Sequence, residues 1–372
     1  MYRPIYKIIH ITQAFGGVKT YIDYILTYSN CEKFQYVVVA PKDEEFQKFC
    51  AQKGIYYYPV PLKRNFNPIA DMISVFRIAL IIKKEKPNLI HLHSAKAGFI
   101  GRLAGKIVRC KIIYTPHAFS YLSFTGFKRV VFYLLEYISR NWSDLLLPVS
   151  YSEANRAFFE LGYRRDKVEV FLNSISPPKQ FVPKDYNSNF RIGMIGRLTY
   201  QKDPLVFLAI ASKLIEKYPL MQFSLLGAGL HDHLRLQVET YIVNKNLSNN
   251  VQILQWGDSS TSSEFLNKTD IYVMTSAFEG LPFSLLEAMG QGIPCVVTVA
   301  DGNSDVIEDS KNGFICLSLA NLTNKIEMLV NSLALRRFIG ENGKQYVFQK
   351  HNIETNIIRL QGIYSKIIDY VN

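Results

Sequence analysis

Short apolar runs alternate along this chain with longer segments whose apolar residues recur every three to four positions. The runs Tyr6–Ile11, Gln35–Ala40, Tyr56–Val60, Asn88–His93 and Lys111–Thr115 are rich in Ile, Val and Tyr and predict buried strands. Between the first two, the stretch from Val18 to Tyr28 puts Val18, Tyr21, Ile22, Ile25 and Leu26 on one face of a helix. Helices are predicted over Ile69–Lys84, stopped by Lys86-Pro87, over Ala95–Val108 and over Lys128–Arg140. A strand is predicted at Asp144–Ser150, and Val168–Phe171 with Asn173 and Ser174 ends the first part. The segment Ser176–Asn189 then has three prolines and no apolar period, so it reads as a linker.

The alternation resumes beyond it. Strands are predicted over Phe190–Ile195, Met221–Leu226, Val251–Gly257, Asp270–Thr275 and Pro294–Val299, with a helix over Leu205–Lys217. Helices over Leu322–Asn331, Leu335–Phe348 and Ile353–Val371 close the chain. Strands alternating with helices imply an α/β protein with doubly wound parallel sheets, whose ligands sit at the carboxyl ends of the strands.

Length turns one such sheet into two: 372 residues exceed one ordinary core. The expected division is a first domain over 1–175, the linker over 176–189, a second domain over 190–350 and a terminal helix over 351–372. Charge separates the halves. Residues 1–180 hold 26 basic and 13 acidic residues, a net of +13, whereas residues 181–372 hold 17 and 18, a net of −1. The excess suggests an anionic partner for the first half: nucleic acid, a membrane surface or an acidic substrate. The five cysteines form no C-x-x-C pair and read as buried free thiols of a reducing compartment. The apolar part of MYRPIYKIIHIT is too short for a signal peptide, and no run of 18 apolar residues occurs. A cytoplasmic protein is expected, in peripheral contact with the inner membrane face.

Candidate chemistry concentrates in MTSAFEGLPFSLLEAMGQGIPCVVT, from Met274 to Thr298. A helix should start near Pro282 and stop at about Met289, before Gly290 and Gly292. Glu279 then lies in the loop at the helix N-terminus, and Glu287 sits about 7 Å further along. The N-terminal turn near Gly280, Leu281 and Pro282 favours an anion, and the carboxylates favour hydroxyls. Phosphates with several hydroxyls describe a nucleotide sugar. In the first half, Phe15-Gly16-Gly17 between strand and helix is a phosphate-cradle arrangement. His91 and His93 share one strand face, but a metal pair needs a third ligand and the sequence shows none. His117 follows a strand and a Pro turn, which points it off the sheet end. Phe119, Tyr121, Phe124 and Phe127 crowd one loop, to be folded inward or to meet a lipid. Leu226-Gly-Ala-Gly229 is half of a G-x-G-x-x-G motif, with Asp232 where the third glycine would stand, which argues against a Rossmann dehydrogenase.

The string E-G-L-P-F-S-L-L-E-A-M-G-Q-G-I-P-C-V resembles the E-x7-E region of retaining glycosyltransferases of family 4. G-R-L-T-Y-Q-K-D-P from Gly196, H-L-H-S-A-K-A-G-F-I-G-R from His91 and the T-P-H-A segment ending at Ala118 resemble other parts of the same family. The resemblance is strong over 190–315, good over 91–118 and weak over 50–75 and 118–140. It implies the GT-B fold: two facing Rossmann-like domains, with the last helix crossing back to the first. It implies transfer of a sugar, with retention, from a UDP- or GDP-sugar to a saccharide or lipid-linked saccharide of a bacterial surface polysaccharide. By the same resemblance Arg197 and Lys202 hold the diphosphate. Glu287 holds the ribose, Glu279 the sugar hydroxyls, and His117 reaches the donor sugar. Gly16, Gly17, His93 and Lys96 line the donor's site. No D-x-D triplet occurs, so no metal and no other cofactor is expected. Two rival classes stand beside this one. One is a GT-B sugar-nucleotide epimerase. The other is a basic nucleic-acid-binding protein, for which neither zinc spacing nor a basic helix with heptads appears.

Overall fold

The computed structural model describes residues 5–13, 16–62, 67–176, 190–229, 232–257 and 259–370. Two compact units emerge: residues 1–173 with 353–372, and residues 174–352. Most of the expected linker, residues 177–189, lies outside the described residues. Phe15 of the glycine turn lies outside them too.

The first unit holds strands β1 (Tyr6–Thr12), β2 (Phe34–Ala40), β3 (Tyr56–Pro59), β4 (Leu89–His93), β5 (Lys111–Thr115) and β6 (Leu145–Leu146). They form one parallel sheet in the order β3-β2-β1-β4-β5-β6. Its helices are α1 (Gly17–Tyr28), α2 (Glu44–Gln52), α3 (Pro68–Glu85), α4 (Ala95–Val108), α5 (Gly126–Ser139) and α6 (Tyr151–Phe159). The second unit repeats the plan. Strands β7 (Arg191–Ile195), β8 (Gln222–Ala228), β9 (Val251–Gln255), β10 (Ile271–Met274), β11 (Cys295–Thr298) and β12 (Phe314–Cys316) lie in the order β12-β11-β10-β7-β8-β9. Helices α7 (Pro204–Lys217), α8 (Arg235–Asn244), α9 (Ser259–Asn267), α10 (Phe283–Gly290), α11 (Asn303–Val306), α12 (Leu319–Asn331) and α13 (Leu333–Lys350) belong to it. The final helix α14 (Ile353–Asp369) joins the first unit, where it packs on α1.

Strand alternation decides which residues meet. On β1, Ile9 and Ile11 join Ile90 and Leu92 of β4 in the core beneath α3 and α4. The alternate residues, His10, His91 and His93, face the other layer, where Tyr364 of α14 lies. The predicted strand at Asp144–Ser150 contracts to the two residues of β6, after which Pro148 cannot donate to a ladder. Helices α2, α6, α8 and α9 escape the periodicity. In α2 only Phe46 and Cys50 are buried, and in α8 only Val238, too few to mark a face in sequence.

The aromatic segment divides. Phe119 and Tyr121 are core residues, and Phe124 stacks on Phe132 at 4.4 Å. Phe127, at the start of α5, is 81% exposed. The loop is therefore mainly internal, and its apolar exposure has moved onto α5.

Candidate active site

In each sheet the strand order reverses beside the first strand, which leaves a crevice at the carboxyl ends of two neighbouring strands. In the second unit those strands are β7 and β10. The loop after β7 carries Arg197 and Lys202, and the loop after β10 carries Glu279, Gly280, Leu281 and Pro282. Hydrogen bonds hold the loops together. The Thr275 hydroxyl donates to the carbonyls of Lys202 (2.9 Å) and Asp203 (2.8 Å), and the Ala277 N–H donates to the Gln201 carbonyl at 2.8 Å. Asp203, at φ 45°, accepts from the Val206 N–H and starts α7.

This arrangement seats Lys202 Nζ on Glu279 Oε1 at 2.5 Å, with side-chain exposures of 15% and 7%. The Gln201 amide donates to the Phe278 carbonyl at 3.2 Å. Arg197 is half-buried, and its guanidinium makes no hydrogen bond or ion pair among the described residues. The turn at Gly280 is also met from β11. A Cβ on Gly302, whose φ is 77°, would stand 2.5 Å from the Gly280 carbonyl oxygen, so only glycine lets that loop approach.

Helix α10 begins one residue after the predicted start, and no side chain caps it. Glu287 is its fifth residue. Burial pushes its carboxyl up to about 7, and no described residue gives it a hydrogen bond. A desolvated carboxylate without donors is unfavourable. Ligand hydroxyls would satisfy it and favour the charged form. Glu287→Ala is therefore expected to weaken nucleotide binding by about 1.5–3 kcal/mol. Calorimetric titration checks this, and an affinity within twofold of the parent would remove Glu287 from the site.

In the first unit the crevice lies at the ends of β1 and β4. Gly16, at φ 79°, precedes α1 and has open space where a Cβ would lie; Gly17 is the first helical residue. Backbone is thus exposed there as a cradle requires. Lys96, in the first turn of α4, is ion-paired with Asp71 of α3 at 2.8 Å, so its charge is partly engaged within the unit.

His93 lies inside the unit. Its ring is fully buried, and its two nitrogens meet His10 (2.9 Å) and His117 (3.2 Å). It touches the candidate site only through His117. His117 itself, at φ 55°, is half-buried beside Tyr21, whose ring stands edge-on at 4.9 Å. Burial holds His117 down to about 3, so it is neutral near pH 7.

The third histidine missing from the sequence pattern is His10, opposite His91 in the β1–β4 register. Only strand pairing reveals it. Nitrogens of His10, His91 and His93 lie within 4.8 Å of one another. Both nitrogens of His91 are nevertheless bonded to hydroxyls, Tyr364 and Thr115, each at 2.8 Å. His10 and His93 bond each other. The trio is a hydrogen-bonded cluster in which each ring already serves a neighbour.

Comparison with known proteins gives this geometry a class. A profile described as Glycosyltransferase Family 4 matches residues 15–177, and one described as Glycosyl transferases group 1 matches residues 177–346. Together they run without a gap from 15 to 346. The chain is a glycosyltransferase, and it belongs to family 4 of these enzymes. It is 27% identical over 337 residues to an Escherichia coli UDP-Gal:alpha-D-GlcNAc-diphosphoundecaprenol alpha-1,3-galactosyltransferase, covering 84% of each chain. It is 25% identical to the capsular polysaccharide biosynthesis glycosyltransferase CapM of Staphylococcus aureus, covering 83% of this chain and 84% of that one. Among solved structures, Anabaena Alr3699/HepE in complex with UDP and glucose superposes with a TM-score of 0.82 at 20% identity, covering 97% and 99%. Sucrose-phosphate synthase from Thermosynechococcus elongatus gives 0.82 at 14% identity, covering 97% and 99%. The fold is GT-B, as the resemblance implied.

Proposed function

We propose that the enzyme moves a hexose, with retention, from a UDP- or GDP-sugar to a lipid-diphosphate-linked saccharide during assembly of a bacterial surface polysaccharide. The observation that carries the donor class is the second unit's crevice. The loop after β7 carries Arg197 and Lys202, the loop after β10 carries Glu279 paired with Lys202, and α10 carries Glu287; among the described residues the side chains of Arg197 and Glu287 have no partner. Cations beside a helix N-terminus suit a diphosphate. Arg197 and Lys202 take up the charge that develops on the departing phosphate. Glu287 receives the ribose hydroxyls, and Glu279 receives sugar hydroxyls once a ligand draws Lys202 to the phosphate. His117 hydrogen-bonds the transferred sugar. The departing phosphate serves as base for attack on the same face, which leaves the anomeric configuration unchanged without a metal.

The name of the galactosyltransferase relative, whose acceptor is a GlcNAc-diphosphoundecaprenol, supports a lipid-linked acceptor. So does the surface of the first unit, because α3 and α5, which both pack against α4, expose apolar side chains. Ile69, Phe76 and Leu80 lie outward on α3, and Phe127, Val130 and Ile138 on α5. Lys128 and Arg129 are exposed beside them. Apolar residues with flanking cations suit an anionic membrane face. Among the described residues no helix is long and apolar enough to cross a membrane.

Incubation with UDP- and GDP-sugars and a short prenyl-diphosphate saccharide tests the reaction, with NMR reading the new anomeric configuration. Inversion would overturn the mechanism. Conversion of the donor to its epimer without acceptor would favour an epimerase. For the membrane, the protein should sediment with anionic liposomes at low salt and release above ~0.3 M salt, where the Debye length falls below about 6 Å. Lys128→Glu with Arg129→Glu should reduce sedimentation and spare nucleotide affinity. Equal binding to neutral and anionic liposomes would exclude the charged surface.

A further inference from the structure

The histidine cluster of the first unit has a direction built into it. Two of its hydrogen bonds run in series: His10 Nδ1 to His93 Nε2, and His93 Nδ1 to His117 Nε2. A neutral imidazole has one N–H and one lone pair. His93 must therefore donate at one nitrogen and accept at the other, so both bonds point the same way along the chain. Only two arrangements exist.

In the first, His10 donates to His93 and His93 donates to His117. His117 is then left with its proton on Nδ1, and His10 keeps a bare lone pair at Nε2. In the second, His117 donates to His93 and His93 to His10. His117 then offers a bare Nδ1, and His10 must carry its proton on Nε2.

The far end of the chain decides between them. His10 is fully buried, and its Nε2 has no hydrogen-bond partner among the described residues. The second arrangement would strand an N–H donor there, whereas the first strands only an unused acceptor. Orphaned buried N–H groups are the rarer of the two in folded proteins. His91 does not compete, because Tyr364 and Thr115 engage both its nitrogens. Burial disfavours the charged form of all four rings, which keeps the one-proton count valid near neutral pH.

We propose that His93, backed by His10, is a positioning residue that locks His117 in the Nδ1–H tautomer, so that His117 presents a hydrogen-bond donor to an oxygen of the glycosyl donor. The outward-facing nitrogen is Nδ1, which takes no hydrogen bond from the described residues. This rests on the assignment of His117 to the transferred sugar. It adds which nitrogen acts, in which sense, and what sets it. The ligand group addressed is a sugar hydroxyl or ring oxygen acting as acceptor.

The test is a long-range ¹H–¹⁵N correlation spectrum of the full-length, ¹⁵N-histidine-labelled protein at pH 7.5, with the His117 signals assigned by their loss in His117→Ala. The expected spectrum shows His117 protonated at Nδ1 only. Two variants separate the lock from mere packing. His93→Leu removes the donor. His117 should then populate both tautomers, and kcat should fall about tenfold, the worth of one neutral hydrogen bond. Affinity for UDP or GDP, which lack the transferred sugar, should hold. In His93→Asn the side-chain N–H₂ stands where His93 Nδ1–H stood. The Nδ1–H form of His117 should persist there, with kcat within about threefold of the parent. A purely structural role for His93 would not produce that rescue together with the spectral change. An Nε2–H tautomer for His117 in the parent protein would overturn the proposal. So would an unchanged tautomer and kcat in His93→Leu. If His93→Leu fails to fold, the parent spectrum and His93→Asn still decide. Full turnover of His117→Ala, with the parent spectrum as expected, would overturn the assignment of His117 to the sugar and leave the tautomer lock standing.

Discussion

Lys202→Ala should lower kcat by on the order of 100-fold or more, with a smaller change in nucleotide affinity. The side chain is placed for that role. Its Nζ sits on Glu279 Oε1 at 2.5 Å, and the carbonyl of the same residue accepts from the Thr275 hydroxyl. The ammonium is thus held at the mouth of the loop facing α10, nearly desolvated at 15% exposure. A charge fixed in a water-poor site stabilises a developing anion more than one in solvent does. Alanine removes that charge and leaves Glu279, at 7% exposure, without its cation. The carboxylate would then repel the diphosphate. Lys202→Ala combined with Glu279→Gln removes this repulsion and should recover part of the loss, provided the sugar contact of Glu279 is worth less than the repulsion. Arg197→Ala should also cost about 100-fold, since that guanidinium has no partner within the described residues to retain it. Steady-state kinetics over a range of donor concentrations reads the split between kcat and KM. Chelation by EDTA should leave parent activity in place. A strict requirement for added Mg²⁺ or Mn²⁺, or a Lys202→Ala kcat within threefold of the parent, would sink this assignment of charge.

Mild acid should destabilise the first unit and stabilise the second. In the first unit burial holds His10 and His117 down to about 3, and His91 and His93 well below their usual range. Below about pH 6.5 the unfolded chain binds protons that the folded unit refuses. The stability these groups contribute is present above that pH and is lost as pH falls toward 3. One unit below the unfolded value costs on the order of 1 kcal/mol per histidine, a few kcal/mol for the four at pH 5.5. Asp23 opposes them, because burial pushes its carboxyl up to about 7 and its protonation favours the folded unit as pH falls. That offsets roughly 2 kcal/mol by the same linkage. In the second unit Glu287, also raised to about 7, works in the opposite sense to the histidines and adds roughly 2 kcal/mol on going from pH 7.5 to 5.5. Hydrogen exchange read by mass spectrometry, corrected for intrinsic rates, resolves the two units separately. Protection should fall in β1, β4 and β5 and rise around α10. Undiminished protection of the first unit at pH 5.5 would mean that the histidines accept protons in the folded state.

The contrast between these two sites shows what a sequence holds. Around α10 it held nearly everything. Glu279, the Gly280–Pro282 turn and Glu287 are local, and a proline before an apolar run with glycines after it sets the helix ends to within a residue. The alternation that predicted both sheets is likewise written in short windows, because strand and helix periods differ. The resemblance to family 4, carried by those same strings, held against the comparisons over nearly the whole chain.

What only the tertiary structure decided lies where partners come from distant segments. Lys202 and Glu279 are 77 residues apart and meet because the strand order reverses between β7 and β10. His10 joins His91 and His93 through a register that no local pattern encodes, since a shift by one residue would turn its ring to the other face of the sheet. That pairing buried His93 and set its ring between His10 and His117. Lys96, expected to line the donor's site, pairs with Asp71 across the α3–α4 contact. The aromatic segment after Ala118 could not be divided by composition: Phe119 and Phe127 are chemically alike, and only the surface left over after packing sends one into the core and the other to solvent.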